Sequence, residues 1–126
     1  QSLLVATGRI DNRDELEREL SAGSGASGGD LLLTAWSRWH ESILDHLTGD
    51  CAFAVFHPGS GETWLGRTPL AARSLFFHRK GHAVAFASHP AALFAVPGVT
   101  KEIDWEHAAL RAAQYSLLGH STMFAG

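Results

Sequence analysis

Cysteine is nearly absent from this chain, since Cys51 is the single cysteine among its 126 residues. One thiol excludes an internal disulfide framework and fits a reducing compartment. Long apolar runs are also absent, and none approaches the roughly 20 residues that a bilayer crossing needs. There is no basic excess either, because 10 Lys and Arg stand against 13 Asp and Glu, a net charge of -3. We therefore expect a soluble, cytoplasmic protein with no nucleic-acid and no membrane partner.

The length favours one domain. A chain of 126 residues can bury a real core but is too short for two well-packed domains. Residues 1–126 are therefore expected to form a single domain. The chain opens at Gln1 without a charged leader and enters an apolar run at residues 3–6, and residues 123–125 are apolar as well. We expect both ends to be cuts in a longer chain.

Two helical patterns lie in the first half of the sequence. Asn12 and Glu15 have the spacing of a capping box, which predicts a helix of about ten residues after a turn at residues 8–12. Asp30 is expected to cap a second, longer helix that ends at Gly49. The apolar positions of this longer helix follow a helical period: Leu32, Leu33, Trp36, Trp39, Ile43, Leu44 and Leu47.

Short strands fill the middle of the chain. Residues 3–6 predict a first strand. Residues 51–56 are continuously apolar and are bounded by turn residues, which predicts a central strand buried on both faces. Turns at residues 58–61 and 79–81 predict two hairpins. The strands are therefore expected to be antiparallel.

Two helices are expected to end the chain. Ser88 or His89 can cap a short helix with Pro90 at its first position, and Asp104 can cap a last helix that reaches about Tyr115. Helices then come first, antiparallel strands in the middle and helices last, so the predicted class is α+β. A sheet buried on both faces also needs a second layer.

Several residues that suggest chemistry have simpler interpretations. The Gly-rich residues 21–29 precede a helix as phosphate-binding loops do, but no Lys follows them, and a linker is favoured. His78, His82 and His89 lack a second ligand pair with zinc-like spacing, so we interpret them as solvated side chains. Cys51 lies in the apolar strand and is interpreted as a buried core thiol rather than a nucleophile. No metal ligand is expected.

Charged and aromatic side chains of the long helix have simple interpretations too. Arg38, Glu41 and Asp45 fit its solvated face. Trp36 and Trp39 are three residues apart on the apolar face, where tryptophan belongs to a core more often than to a ligand site.

Four ordered motifs resemble one protein family. Residues 8–16, GRIDNRDEL, resemble the G-E-I-Y-N-Y-x-E-L segment of class II glutamine amidotransferases of the asparagine synthetase type. Residues 30–56 are similar to that family's D-T-E-V-L-L helix and the F-A-F-A-I-W strand after it. Residues 65–77 resemble its L-A-R-D-x-x-G-x-K-P-L-Y-Y, and residues 85–89 its F-A-S-E. The similarity spans residues 4 to about 105, and the set carries it rather than any one motif.

This resemblance implies a fold and a chemistry. The fold would be a four-layer αββα sandwich of antiparallel sheets, the amino-terminal-nucleophile hydrolase type, with the family's opening strands missing from this chain. In the family an amino-terminal Cys is the nucleophile and its own amine is the base, while an Asn-Gly pair forms the oxyanion hole. Acidic groups hold the α-amino group of glutamine.

The family's pocket residues are only partly kept here. Gly8 matches the oxyanion glycine and Asp30 matches one acid, but Thr7 stands where Asn is expected and Arg9 where Glu is expected. We interpret Thr7, Gly8, Arg9 and Asp30 as a vestigial glutamine pocket without a catalytic residue. The resemblance places the nucleophile upstream of Gln1. No glutaminase activity is therefore expected for this chain.

Three functional hypotheses follow from the resemblance. The first is a degenerate domain of an ATP-dependent amide ligase, as in β-lactam synthetases and lasso peptide cyclases. The second is a fragment of an active glutamine-hydrolysing asparagine synthetase, and the third is a stand-alone binding domain. ATP and Mg would belong to an absent carboxy-terminal synthetase domain, the implied partner, and no cofactor is expected in this chain. The isolated chain is expected either to self-associate, through strand-edge or face contacts near residues 3–6 and 51–56, or to retain upstream residues.

Overall fold

The computed structural model describes residues 2–69 and 71–113, together with residues 122 and 124. The chain divides into two compact units, residues 1–75 and residues 76–126, and each is described by itself. A single domain over residues 1–126 stays a prediction.

The first unit is a three-stranded antiparallel sheet with helices on one face. The strands lie in the order β1-β2-β3, so β2 is central and β1 is an edge. A single 3-10 turn, residues His40–Ser42, joins the second helix to the third. The elements are β1 Leu3–Ile10, α1 Arg13–Glu19, α2 Gly28–Trp39, α3 Ile43–His46, β2 Gly49–His57 and β3 Glu62–Arg67.

The central strand is buried on both faces from Cys51 to Val55, as its continuous apolar sequence predicts, but Phe56 is 39% exposed, so the prediction of burial over residues 51–56 is wrong at that last residue. Cys51, Phe53 and Val55 face the helices, while Ala52 and Ala54 lie on the opposite face, and all five are at most 5% exposed. Helix α2 packs across the sheet, which confirms the predicted antiparallel sheet under a long helix. The helices add these side chains to the core: Leu16, Leu31, Leu32, Ala35, Trp36, Ile43 and Leu47.

The beginning and the end of α2 differ from the prediction. Ser27, not Asp30, is the N-cap, and its Oγ accepts a hydrogen bond from the backbone N–H of Asp30 at 3.1 Å. The helix ends at Trp39 because His40 has a φ of +48°, in the left-handed region where side chains other than Gly are uncommon. The periodic apolar positions continue into α3, so the sequence pattern predicted one continuous helix where the structure has two.

The predicted turn at residues 8–12 is wrong in its first half, because β1 continues to Ile10. Asn12 does precede α1, but its side chain makes no cap. Instead its Nδ2 donates to the carbonyl of His46 at 2.8 Å, and its Oδ1 accepts from the N–H of Thr48 at 3.0 Å. The side chain of Asn12 therefore links the start of α1 by hydrogen bonds to the segment between α3 and β2.

The second unit contains the predicted second hairpin and the helices after it. Its turn lies at residues 81–82, whereas the prediction was residues 79–81, because β4 continues to Lys80. His89 caps the short helix by accepting from the N–H of Ala91 at 3.2 Å, and Asp104 caps the last one. The predicted end near Tyr115 lies outside the described residues. The elements are β4 Phe76–Lys80, β5 Ala83–Ala87, α4 Pro90–Leu93 and α5 Trp105–Ala112.

The described residues thus have mixed helical and strand structure with antiparallel sheets, and the predicted α+β class is confirmed. The four-layer stacking stays a prediction. None of the helices within the described ranges is long and apolar enough to cross a membrane.

Candidate functional site

Three of the four predicted pocket residues lie side by side at the end of β1. Thr7, Gly8 and Arg9 pair with Ala52, Cys51 and Asp50 of β2, respectively. Since side chains alternate along a strand, those of Thr7 and Arg9 lie on the sheet face opposite to the one that α2 covers. All three residues are exposed, so this end of the edge strand is open to solvent.

Gly8 allows a close approach of two backbones. Its φ is +120°, and a Cβ atom built on it would lie 2.0 Å from the carbonyl oxygen of Asp50. Any side chain there would collide with backbone, which cannot move aside cheaply, and would also adopt a conformation that L residues avoid. The glycine at this position is therefore required by the pairing of β1 with β2.

Arg9 is paired within its own strand end. Its guanidinium makes two hydrogen bonds to the carboxylate of Asp11, one from Nε to Oδ1 and one from Nη2 to Oδ2 at 3.2 Å. This hydrogen bonding raises the pKa of Arg9, and the nearby charge of Asp50 adds to it. The same contact lowers the pKa of Asp11 below its ordinary value. Both side chains are solvent-exposed, so the ion pair contributes little to stability.

Asp30, the fourth predicted pocket residue, lies in the first turn of α2. Its carboxylate accepts a hydrogen bond from Ser27 Oγ at 2.6 Å, while its backbone N–H donates to the same oxygen. This reciprocal arrangement closes the amino end of the helix. Among the described residues no hydrogen bond or ion pair joins Asp30 to Thr7, Gly8 or Arg9, so the structure brings together three of the four residues.

Asp50 and Arg73 complete the charged end of the sheet, and sequence reasoning missed them. The backbone N–H of Arg73 donates to Asp50 Oδ1 at 3.0 Å, and its Nε lies 3.9 Å from Oδ2. This end of the sheet thus carries two arginine–aspartate pairs, Arg9 with Asp11 and Arg73 with Asp50. The two residues are 23 positions apart, and no local pattern signals their contact. The motif that contains Arg73 was noticed only for its resemblance.

Cys51 is held in the interior by a buried hydroxyl. The thiol residue is 2% exposed, and burial raises its pKa. Thr68 Oγ1 accepts from the backbone N–H of Cys51 at 3.1 Å and donates to the carbonyl of Gly49 at 2.9 Å. Thr68, 1% exposed, is the buried polar residue of this core. Cys51 has neither the exposure nor the low pKa that a nucleophilic cysteine needs.

The histidines that suggested a metal are placed in the hairpin unit. His82 and His89 are exposed and His78 is half-buried. Over the described ranges, no group of three or more His, Cys, Asp or Glu side chains is placed to hold a metal ion.

Comparison with known families matches this arrangement to one of them. Residues 1–95 fit the family described as "Glutamine amidotransferase domain". The fitted segment contains Thr7, Gly8, Arg9 and Asp30 and every strand of both sheets. The chain therefore belongs to the glutamine amidotransferase domain family, and its antiparallel α+β structure is consistent with an amino-terminal-nucleophile hydrolase-like fold.

Curated relatives are named as asparagine synthetases. The chain is 28% identical over 105 residues to "Asparagine synthetase [glutamine-hydrolyzing] 3" of Bacillus subtilis, covering 80% of this chain and 17% of that protein. It is 31% identical over 117 residues to a "Putative asparagine synthetase [glutamine-hydrolyzing]" of Mycobacterium tuberculosis and of Mycobacterium bovis, covering 86% of this chain and 18% of each. The resemblance to the amidotransferase domain of asparagine synthetases is confirmed. The chain spans about a sixth of the length of these relatives.

Proposed function

We propose that this chain is a catalytically degenerate amidotransferase domain, and that it supports an ATP-dependent amide ligase related to asparagine synthetases without hydrolysing glutamine. One observation carries the proposal. Where the resemblance implies an acid for the α-amino group of glutamine, the chain has Arg9, and that guanidinium is engaged by Asp11. A cation at this position repels the ammonium group of glutamine instead of attracting it.

The oxyanion position supports the same conclusion. The family's Asn donates a side-chain N–H to the developing oxyanion, whereas Thr7 has a shorter hydroxyl side chain. Removal of one oxyanion donor typically costs about 2.7–4 kcal/mol of transition-state stabilisation. Gly8 keeps the backbone geometry of the motif, so the change affects the chemistry of the pocket more than its shape.

Cys51 does not replace the family's nucleophile. It lies in the central strand, 2% exposed, and its pKa is raised by burial. A thiol in that state is neither ionised at neutral pH nor accessible to glutamine.

The proposed partner is a carboxy-terminal synthetase domain of the same polypeptide. The relatives are about five times as long as this chain, which leaves room for such a domain. ATP and Mg would bind there, and the chain itself would need no cofactor. A cytoplasmic location, where such a ligase finds ATP, is part of this proposal.

An active glutaminase is the second candidate. It is favoured by the retained Gly8 and Asp30 and by the words "glutamine-hydrolyzing" in the names of the relatives. In that case the nucleophile would lie in sequence upstream of Gln1, and Thr7 would serve as a weaker oxyanion donor. A stand-alone binding domain is the third candidate. The complete reading frame separates it from the other two, because it would encode no synthetase domain.

The direct test is ammonia release from glutamine by the 126-residue chain, with Cys51→Ala as a matched variant. The proposal expects background release from both proteins. Release above background that disappears in Cys51→Ala would show that this buried thiol is a nucleophile and would overturn the proposal.

Self-association of the isolated chain is a further part of the proposal. Strand β1 is a sheet edge, and on its outer face Leu3 is 57% exposed and Val5 is 63% exposed. Exposed edges with apolar side chains pair with other strands. Sedimentation at several concentrations should show association that Val5→Lys weakens and that Leu110→Lys, a change at an exposed helix position, leaves intact. A monomer at every concentration would contradict this part.

A further inference from the structure

A second concave site lies in the unit of residues 1–75. It is a cleft of about 450 Å3 between the carboxyl end of α2 and the β2–β3 hairpin. Two tryptophans, two histidines and two carboxylates form the walls that matter here: Trp36, Trp64, His40, His57, Glu41 and Glu62.

This cleft is distinct from the vestigial glutamine pocket. Ser2, just before β1, contacts His57 at the cleft, whereas Thr7 lies five residues further along the strand. At about 3.3 Å per residue, that separation is roughly 16 Å. A ligand of this cleft is therefore independent of glutamine hydrolysis.

The aromatic wall is fixed by contacts between its own members. The ring centroids of Trp36 and Trp64 are 5.7 Å apart, and Trp36 and His57 are 6.0 Å apart. The indole Nε1–H of Trp36 donates to His57 Nε2 at 3.2 Å. Since that ring nitrogen accepts, His57 carries its proton on Nδ1 and donates to Ser2 Oγ at 2.8 Å. The indole donor of Trp36 is thus satisfied within the wall of the cleft.

The carboxylates give the cleft a negative rim. Ser60 Oγ donates to Glu62 Oε2 at 2.9 Å, which orients that side chain. Glu41 follows His40, whose φ of +48° ends α2 and turns the chain at the cleft. Within the described residues of the first unit neither glutamate forms an ion pair with Lys or Arg, and no Lys or Arg of that unit lines this cleft. The two carboxylates therefore have no Lys or Arg partner within the described part of the first unit.

We propose that this cleft binds an organic cation, namely an ammonium or guanidinium group on an aliphatic stem. Trp64 is half-buried at the cleft, and an accessible tryptophan face attracts such cations, more strongly where the cation is partly desolvated. Trp36, 4% exposed, packs behind it as part of the core. Two carboxylates at the rim supply complementary charge, while the aromatic wall takes the apolar stem.

The test uses n-butylguanidinium as the probe and n-butanol as its neutral analogue. Binding to the 126-residue chain is followed by NMR through the indole N–H signals of Trp36 and Trp64. We expect saturable shifts with the cation, which rising salt weakens, and none with the alcohol. Equal shifts with the two probes, or no shift with the cation, would overturn the proposal.

Matched variants separate this site from non-specific charge attraction. Glu41→Gln with Glu62→Gln removes two charges at the cleft, and Glu102→Gln with Glu106→Gln removes two exposed charges in the other unit. The first pair should weaken binding by about tenfold and the second by less than about twofold. If both pairs of substitutions weaken binding equally, while the indole N–H signals show that the variants remain folded, the cleft is not the site.

The source of the cation is distinguished by a third probe, Nα-acetyl-arginine methylamide. Binding about tenfold tighter than that of n-butylguanidinium would identify an arginine side chain of a polypeptide, because the flanking amides add contacts. Equal or weaker binding would identify a free small cation. Binding of neither cation would contradict the assignment as a whole.

Discussion

Arg9 and Asp11 form a two-bond ion pair across one intervening residue at the exposed end of β1. The family pattern has an acid at the position of Arg9 and a tyrosine at that of Asp11, so this chain has inverted the charge and supplied its counter-ion two residues later. A guanidinium held in this way is a stable part of the strand end. In the proposed vestigial pocket it would stand at the position where the family has its acid.

The Arg9–Asp11 pair should be visible in the titration of Asp11. NMR should find its pKa below about 3.9, and Arg9→Met should raise it toward that value, because the main cause of the shift is the hydrogen bond from Arg9. A carboxyl with a lowered folded pKa contributes stability above its unfolded pKa and loses it as pH falls through the folded pKa. Arg18→Met, which removes a cation elsewhere, should leave the pKa of Asp11 unchanged. If the pKa of Asp11 is the same in the Arg9→Met variant as in the parent, the Arg9–Asp11 ion pair is disproved.

Gly8→Ala should destabilise the first unit by about 2 kcal/mol or more, because the new methyl group meets the carbonyl of Asp50 at a positive φ. Gly59→Ala is the matched control, since no atom lies within 4 Å of its added Cβ and its φ is not in the left-handed range. We expect that change to stay within about 0.5 kcal/mol. Urea unfolding of the three proteins measures both effects, and equal midpoints for Gly8→Ala and the parent would refute the close approach.

Thr68→Val should cost about 1–3 kcal/mol, because it leaves the backbone N–H of Cys51 and the carbonyl of Gly49 without their hydroxyl partner in the interior. Thr68→Ser keeps the hydroxyl and should cost less. Thermal unfolding at equal pH ranks the two variants. A serine variant less stable than the valine variant would mean that packing of the methyl group of Thr68 stabilises this site more than its hydroxyl does.

Cys51 should react slowly with iodoacetamide in the folded protein at pH 8 and quickly in denaturant. Its pKa is raised by burial, and the residue is 2% exposed. Intact-mass measurement over time gives both rates. Rapid labelling of the folded chain at a rate close to that in denaturant would place the thiol at the surface and remove the argument that it is not a nucleophile.

The core of this fold could be predicted from sequence because its signals are local. Residues 51–56 are apolar without interruption, and only a strand covered on both faces accommodates that pattern in so short a run. The periodic leucines and tryptophans of α2 likewise determined which face packs on the sheet. Arg38, Glu41 and Asp45 are exposed, as their positions on the polar face predicted.

The predictions were wrong where the local structure depends on an unusual backbone conformation or on a residue distant in sequence. The break at His40 was not predicted, because only a few per cent of residues other than Gly adopt a positive φ, and histidine, although enriched among them, usually does not. Gly8 suggested a turn, although here it serves a close pairing of strands. Trp36 was rightly placed in the core at 4% exposure, yet its contact with His57 spans 21 positions, so the cleft beside it could not be predicted.

The central claim is that this domain does not hydrolyse glutamine, and the decisive measurement is ammonia release by the complete protein encoded by its gene, in the presence of ATP. The account predicts background release at every glutamine concentration. It also predicts that a pocket for glutamine is restored only when Arg9→Glu and Thr7→Asn are introduced together. Saturable ammonia release by the unaltered protein, weakened when Asp30 is changed to Asn, would show a working glutamine pocket and contradict the account.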